Sequence, residues 1–189
     1  MYKFLKVVVG FFVKIFYNLE IYGKENVPKD QALILCANHK SLMDPIVLAI
    51  SMDRQVHFMG KEELWENPIL KFILDRVGAF PVNRTKSDLK SIRTSMSILK
   101  RGEVLGIFPE GTRVKSVSIE NIKEGIGMLS NRSNSIIQPV YIDTEYKLFK
   151  PVKIYFRDRV NPLDFKDFGR DINREITKAV YYKIYDVEE

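Results

Sequence analysis

The sequence predicts a single α/β domain in which helices flank a mixed, largely parallel sheet. Three observations support this prediction. The 189 residues suffice for one α/β domain with a full core and are too few for two. Short apolar runs typical of buried strands alternate with longer segments of helical periodicity. Hydrophobic residues make up 46% of the chain, which excludes disorder throughout.

Residues 1–18 are predicted to form an amphipathic helix on a membrane surface, followed by the α/β domain at residues 19–189. On a helix, Lys3, Lys6, Gly10 and Lys14 lie within a sector of about 80°, and the remaining surface is apolar. The longest uncharged run, residues 7–13, is too short to cross a bilayer. The segment also lacks the unbroken apolar region of a signal peptide. The alternative is a helix packed on the domain's own core.

Strands and helices alternate along the rest of the chain. Predicted strands cover residues 19–23, 32–37, 56–59, 77–84, 104–108, 135–142 and 153–156. Predicted helices begin at Asp44-Pro45, where Asp44 is the expected N-cap, and at Asn67-Pro68, and others cover residues 85–100, 123–131 and 172–184. The inner face of helix 85–100 is predicted to hold Leu89, Ile92, Met96 and Leu99. Pro139 places strand 135–142 at an edge or a terminus, because proline cannot donate a ladder hydrogen bond.

Composition narrows the functional classes. A net charge of +6 favours an anionic partner: a nucleic acid, an acidic membrane surface or a phosphorylated substrate. The single cysteine, Cys36, excludes an internal disulfide and is predicted to be a buried, inert thiol, consistent with a reducing cytoplasm. The histidines are His39 and His57, and no Cys/His cluster has metal-ligand spacing, so no metal site is predicted. His57 is predicted to be a hydrogen-bonded strand residue.

The strongest local signal is His39, which follows an apolar run and precedes Asp44-Pro45 by five residues. On one continuous helix, side chains five apart point roughly 140° away from each other. Across a strand-to-helix turn they can meet, and a carboxylate there can fix the tautomer of an imidazole. Such a pair suits deprotonation of a substrate hydroxyl. The alternative is that His39 and Asp44 only terminate a strand and begin a helix.

Polar residues also end four successive predicted strands, and ligands of open α/β sheets bind at the carboxyl ends of strands. They include three cations, Lys61, Arg84 and Arg113, which suit a phosphate group. Glycine at position 111 permits close backbone approach, and Thr112 supplies a hydroxyl. A base beside a phosphate site predicts an acceptor that carries both a hydroxyl and a phosphate.

These segments resemble the blocks of the glycerolipid acyltransferase family, the PlsC-like 1-acylglycerol-3-phosphate acyltransferases. Residues 38–45 (N-H-K-S-L-M-D-P) match the family's N-H-x-S-x-x-D-P block, and residues 108–113 (F-P-E-G-T-R) match its third block. Residues 60–64 (G-K-E-E-L) through 78–84 (G-A-F-P-V-N-R) resemble the second block, and residues 136–140 (I-I-Q-P-V) resemble the fourth.

The resemblance implies transfer of a fatty acyl chain from acyl-CoA or acyl carrier protein to lysophosphatidic acid, giving phosphatidic acid, without an acyl-enzyme or a cofactor. His39 is then the general base and Asp44 its partner. The phosphate ligands are Lys61, Arg84 and Arg113, and the acceptor pocket includes Glu110, Gly111 and Thr112. The implied location is the cytoplasmic face of the cell membrane, as a peripheral or monotopic protein on anionic lipids.

Three alternatives remain open from the sequence. The acceptor could be glycerol 3-phosphate or another lysolipid, which the blocks do not distinguish. A protein that binds anionic lipid without catalysis would share the basic charge. Nucleic-acid binding rests on charge alone, because the chain contains no nucleic-acid-binding motif, and no nucleic-acid partner is predicted.

Overall fold

The structure, a computed structural model, describes residues 2–83, 88–111, 119 and 124–186. Its strands are β1 (Asn18–Tyr22), β2 (Leu33–Ala37), β3 (Val56–Lys61), β4 (Phe80–Val82), β5 (Val104–Ile107), β6 (Ile136–Asp143) and β7 (Pro151–Phe156). Its α-helices are α1 (Tyr2–Phe16), α2 (Asp44–Ser51), α3 (Pro68–Val77), α4 (Leu89–Lys100), α5 (Gly125–Ser133) and α6 (Ile172–Tyr185). Short 3₁₀ helices cover Lys24–Asn26, Glu62–Trp65 and Pro162–Asp171.

Within the described ranges the strands form one sheet in the order β1-β7-β6-β2-β5-β3-β4. Neighbouring strands are parallel except β6 and β7, which run antiparallel. The predicted mixed, largely parallel sheet is therefore confirmed. Because β2, β3 and β5 are parallel neighbours, their carboxyl ends meet at one edge.

Helices cover both faces of the sheet, and the alternation of strand side chains divides the core into two clusters. On one face, Leu33 and Leu35 of β2 pack with residues of α1 and α2. On the other, Ile34 and Cys36 pack with residues of α4, α5 and α6. Cys36 is fully buried, as predicted, and burial raises the pKa of its thiol well above the usual value.

The predicted edge position of the strand that contains Pro139 is wrong. Strand β6 lies between β7 and β2. Its antiparallel partner pairs Val160 with Ile137 and Phe156 with Val140, so three residues of the partner face two of β6. This β-bulge interrupts the ladder where the proline lacks its N–H, which explains why an interior strand tolerates it.

Helix α4 begins later than predicted and exposes one of its predicted inner residues. Asp88 caps the helix, because its side chain accepts hydrogen bonds from the main-chain N–H groups of Lys90 and Ser91. The side chain of Leu89 is exposed, whereas Leu99 is buried. The predicted start at residue 85 lies outside the described residues.

Helix α1 combines features of both interpretations of the N-terminal segment. Val13 is buried, Gly10 packs against Ile50 of α2, and the Lys6 ammonium donates to the main-chain carbonyl of Met52. Part of the predicted basic stripe therefore faces the domain. The opposite side exposes large apolar side chains: Phe4, Val7, Val8, Phe11, Phe12 and Ile15. Among the helices described, none has both the length and the hydropathy that a bilayer span requires.

Candidate active site

The site begins where β2 ends, and Asn38 fixes the position of that end. Its side-chain amide donates to the carbonyl of Ile142 at 3.0 Å and accepts from the main-chain N–H of Ile142 at 2.7 Å. This pair of hydrogen bonds extends the contact between β2 and β6 beyond the ladder. The chain therefore leaves the sheet at a defined point, and His39 follows directly.

The structure brings together the two residues that the sequence predicts as base and partner. His39 Nδ1 lies 2.9 Å from Asp44 Oδ2, and both side chains are almost completely buried. The same carboxylate oxygen accepts the main-chain N–H groups of Lys40 and Ser41, at 2.7 Å each. Since an ionised carboxylate only accepts, Nδ1 carries a proton in this contact, and Nε2 of the neutral ring is left as the basic nitrogen.

Asp44 differs from its predicted role as N-cap. It is the first residue of α2, Met43 is the N-cap, and no side chain caps the helix. The carboxylate instead points back to the turn, where it closes the loop from His39 to Ser41. Burial opposes ionisation of Asp44, but hydrogen bonds from His39, Tyr146 and the turn outweigh it and lower the pKa of the carboxyl group.

Tyr146 supplies the remaining hydrogen bond to Asp44, and sequence reasoning missed it. Its hydroxyl donates to Asp44 Oδ1 at 2.6 Å. The tyrosine has a left-handed backbone, with φ of 50°, which residues other than glycine adopt rarely. Its ring packs edge-on against Tyr17, just after α1. Burial, followed by the hydrogen bond to Asp44, raises the pKa of the hydroxyl group.

Phe108 holds the other side of the imidazole. Its ring stacks on that of His39, with centroids 4.1 Å apart and planes 21° from parallel. Phe58 lies in turn against Phe108, at 5.8 Å between centroids. The imidazole is thus fixed by a carboxylate at Nδ1 and by a ring on its face, which limits its rotation.

The turn after β5 carries Glu110 and Gly111. The N–H of Gly111 donates to the Phe108 carbonyl at 3.0 Å, and its φ of 68° explains the glycine. Glu110 is buried, and its Oε1 accepts the Tyr185 hydroxyl at 2.6 Å. Its Oε2 is buried without a hydrogen-bond partner among the described residues. Burial raises the pKa of this carboxyl group, and the hydrogen bond from Tyr185 counteracts only part of that shift.

The predicted phosphate ligands are only partly described. Lys61 ends β3 at the same sheet edge as His39, where its exposed ammonium pairs with Glu63 at 2.8 Å. Arg84, Thr112 and Arg113 lie outside the described residues, so their roles stay predictions. His57 makes the predicted structural contacts, with Nδ1 2.9 Å from the Gly78 carbonyl and Nε2 3.3 Å from Glu103.

A cavity of about 310 Å³ adjoins the site on the side of α4 and α5. Phe108 and Gly111 line it next to the turn. Most of the remaining lining is apolar and includes Met59, Val82, Ile92 and Met128. The described residues contain no cluster of three or more His, Cys, Asp or Glu side chains suited to a metal ion.

Comparison with known proteins assigns the chain to a family. A family model described as Acyltransferase matches residues 18–143, which include both His39 and the turn after β5. The match covers well over half of the chain. This protein belongs to the acyltransferase family.

Curated members of the acyltransferase family are similar to the chain over most of this region. The 1-acyl-sn-glycerol-3-phosphate acyltransferase of Bacillus subtilis is 36% identical over 114 residues, which cover 60% of this chain and 57% of the relative. That of Streptococcus pneumoniae is 28% identical over 175 residues, 88% of this chain and 63% of the relative. The chain therefore matches little more than half the length of the Bacillus relative.

A solved structure confirms the fold. The crystal structure of the 1-acyl-sn-glycerophosphate (LPA) acyltransferase PlsC from Thermotoga maritima superposes with a TM-score of 0.74 at 24% sequence identity. The match covers 98% of this chain and 80% of the other.

The functional residues that sequence reasoning missed have one property in common. Tyr146 and Tyr185 lie far along the chain from the carboxylates they contact, 102 and 75 residues away respectively. Both also lie beyond the matched family region. No local pattern could assign them. For Phe108 a signal existed, since it lies at the end of the strand next to β2.

Proposed function

We propose that this acyltransferase moves a fatty acyl chain from a thioester donor, acyl-CoA or acyl carrier protein, to the free hydroxyl of lysophosphatidic acid, giving phosphatidic acid. The observation that carries the proposal is the contact of His39 Nδ1 with the buried Asp44 carboxylate. The names of the similar curated proteins point to the same reaction.

In the proposed reaction, His39 Nε2 accepts the proton of the acceptor hydroxyl as its oxygen attacks the thioester carbonyl. Asp44 stabilises the imidazolium that forms, because its carboxylate is ionised and lies against Nδ1. The tetrahedral intermediate collapses with cleavage of the carbon–sulfur bond, and the departing thiolate takes the proton from Nε2. The products are an ester and a free thiol, and His39 returns to its neutral state.

The acceptor is held by charge and by apolar contact. Lys61, Arg84 and Arg113 are proposed to bind its phosphate, which requires Lys61 to exchange its surface ion pair with Glu63 for the ligand. Such an exposed pair contributes about 1 kcal/mol or less, so exchange is easy. Glu110, Gly111 and Thr112 would line the acceptor pocket. The largely apolar cavity beside Phe108 offers contacts for an acyl chain.

The protein is proposed to work on the cytoplasmic face of the cell membrane. The exposed apolar side of α1 supports the association with a membrane, since a contiguous apolar surface of this kind marks an interaction site. Lys3 and Lys14 on the same helix are exposed and suit anionic headgroups.

Release of free thiol from acyl-CoA or acyl carrier protein tests the reaction. Purified protein should release thiol with lysophosphatidic acid, and His39→Ala and Asp44→Ala variants that remain folded should not. His57→Gln is the matched control, because His57 is the other histidine of the chain and lies away from the reaction. A panel with glycerol 3-phosphate and other lysolipids identifies the acceptor. Thiol release that His39→Ala leaves unchanged would overturn the proposal.

A further inference from the structure

Helix α3 exposes an apolar surface that the proposed reaction does not use. None of its residues is buried. The side chains of Ile69 and Phe72 are 70% and 52% exposed, and Leu70 and Ile73 are exposed as well. A soluble domain rarely presents so many large apolar groups on one short helix without a partner.

Helix α3 lies on the same face of the sheet as α1 and α2. On β3, Gly60 shares its face with Phe58, which packs into the cluster of α1 and α2. A Cβ atom on Gly60 would lie 2.8 Å from the ring of Trp65, so Trp65 covers that face. The Trp65 indole then donates to Asp75 of α3 at 2.8 Å. The right-handed connection expected between parallel β3 and β4 places α3 on the same side.

The outer surfaces of α1, α2 and α3 are apolar and basic, and the adjoining segment 62–66 exposes Glu62, Glu63 and Glu66 beside them. Between α1 and α3, Leu42 and Ile46 are also exposed, at the turn that follows His39 and at the start of α2. All residues of the three helices are described, and the exposed carboxylate among them is Asp75, against the exposed cations Lys3, Lys14, Lys71 and Arg76. The layer on the other face exposes mainly polar side chains, such as Lys90, Arg93 and Lys100 of α4 and Arg174 of α6.

We propose that α3 is a second membrane-contacting element, which inserts Ile69 and Phe72 into the same anionic bilayer as α1. The inference rests on the proposed membrane association of the enzyme and adds a second point of contact to it. The apolar side chains suit the acyl region, and the exposed cations of α1 and α3 complement anionic headgroups. Two points of contact fix the orientation of a domain, which a single helix does not. In that orientation the turn at residues 38–44 faces the bilayer, so a lipid acceptor can reach His39 without leaving it.

Binding to vesicles tests the proposal without reference to catalysis. The full chain is sedimented with vesicles of phosphatidylglycerol and phosphatidylcholine, and the double variant Ile69→Gln/Phe72→Gln is compared with the wild type. Partitioning should fall about tenfold or more, because apolar groups that enter the lipid are removed. The net charge does not change, so electrostatic attraction is preserved.

The opposite layer provides a matched control. Leu89 and Phe168 are 61% and 49% exposed, close to the values of Ile69 and Phe72. The double variant Leu89→Gln/Phe168→Gln should therefore bind vesicles within twofold of the wild type. An equal loss of vesicle binding in both double variants would overturn the proposal, because any exposed apolar pair would then contribute to binding as much as Ile69 and Phe72.

A fluorescent reporter tests direct insertion. The single tryptophan is first replaced by Trp65→Phe, and Phe72→Trp or Phe168→Trp is added. Brominated acyl chains should quench the reporter at position 72 and spare the one at position 168. Equal quenching at both positions, or at neither, would contradict insertion of α3.

The remaining arms separate this proposal from its rivals and from the proposed function. Turnover of a short-chain, monomerically dissolved lysophosphatidic acid should survive in Ile69→Gln/Phe72→Gln, because neither residue touches the site. Unchanged vesicle binding with normal turnover would overturn the α3 proposal alone. Absent turnover in the wild type would overturn the proposed function alone.

If the double variant instead disrupts a dimer seen by sedimentation, or loses only acyl carrier protein binding, the surface is a protein interface and the proposal is wrong.

Discussion

Two buried carboxylates lie near His39, and their surroundings shift their pKa values in opposite directions. Asp44 accepts hydrogen bonds from His39, Lys40, Ser41 and Tyr146, which lower its pKa in spite of burial. Glu110 accepts the hydroxyl of Tyr185, and burial, which outweighs its hydrogen bonds, raises its pKa. Each carboxylate thus has a tyrosine partner at 2.6 Å. Hydrogen bonds therefore outweigh burial at Asp44 but not at Glu110, so Asp44 is the carboxylate kept ionised beside the base.

The largest expected effect comes from removing the charge of Asp44. Asp44→Asn retains the size of the side chain and can keep its oxygen on the N–H groups of Lys40 and Ser41, but a neutral amide no longer stabilises the imidazolium that forms on His39. We expect the single-turnover rate of thiol release to fall by about 10³- to 10⁴-fold, as for loss of the orienting carboxylate in a catalytic triad. Glu110→Gln, which makes the same chemical change at the other carboxylate, is the control. A smaller loss of rate in Asp44→Asn than in Glu110→Gln would contradict the conclusion that Asp44 is the ionised carboxylate beside the base.

An intermediate effect is expected from the tyrosine partners. Tyr146→Phe removes one hydrogen bond to an ionised group, which is worth about 1.5–3 kcal/mol, and acyl transfer should fall roughly tenfold or more. The pKa of Asp44 should rise, which an NMR titration of its ¹³C-labelled carboxyl group measures. Tyr185→Phe should leave that pKa in place, because Tyr185 contacts Glu110. If both variants shift it equally, the two carboxylates are not distinct.

The smallest expected effect is on stability, and its sign differs between the carboxylates. The lowered pKa of Asp44 gives stability that is present above the unfolded-state pKa and is lost as pH falls through the folded-state pKa. The raised pKa of Glu110 gives stability that is present below the unfolded-state pKa and is lost as pH rises through the folded-state pKa. Glu110→Gln should therefore increase the free energy of unfolding by about 1 kcal/mol at neutral pH and have little effect in acid.

Urea unfolding of Glu110→Gln and the wild type across this pH range measures that difference. Loss of stability at neutral pH would indicate that Glu110 is ionised and paired. An activity loss in the same stabilised variant would support the predicted role of Glu110 in the acceptor pocket.

Much of the fold and the centre of the site could be predicted from the sequence. Apolar runs of strand length specify the sheet, and the short spacing from His39 to Asp44 specifies a turn in which the side chains meet. What the sequence could not specify depends on distant contacts. Tyr146 reaches Asp44 only because β6 lies beside β2, and the bulge that accommodates Pro139 forms in another segment of the chain.

The role of Asp44 also differs from the one that its local sequence predicts. Asp followed by Pro predicts a capped helix, and Pro45 does lie in the first turn of α2. The carboxylate of Asp44 serves the preceding loop instead, because two N–H groups and an imidazole compete for it with the helix. A functional site is where such a departure from the local preference is expected.

The tautomer of His39 is the most direct test of the central claim, that Asp44 leaves Nε2 free to act as the base. With two histidines in the chain, ¹⁵N-histidine NMR gives resolved signals, and His57→Gln assigns them. In the neutral ring of the wild type, we predict that the proton resides on Nδ1 of His39 and that Nε2 is unprotonated. A neutral His39 ring with its proton on Nε2 would contradict the account.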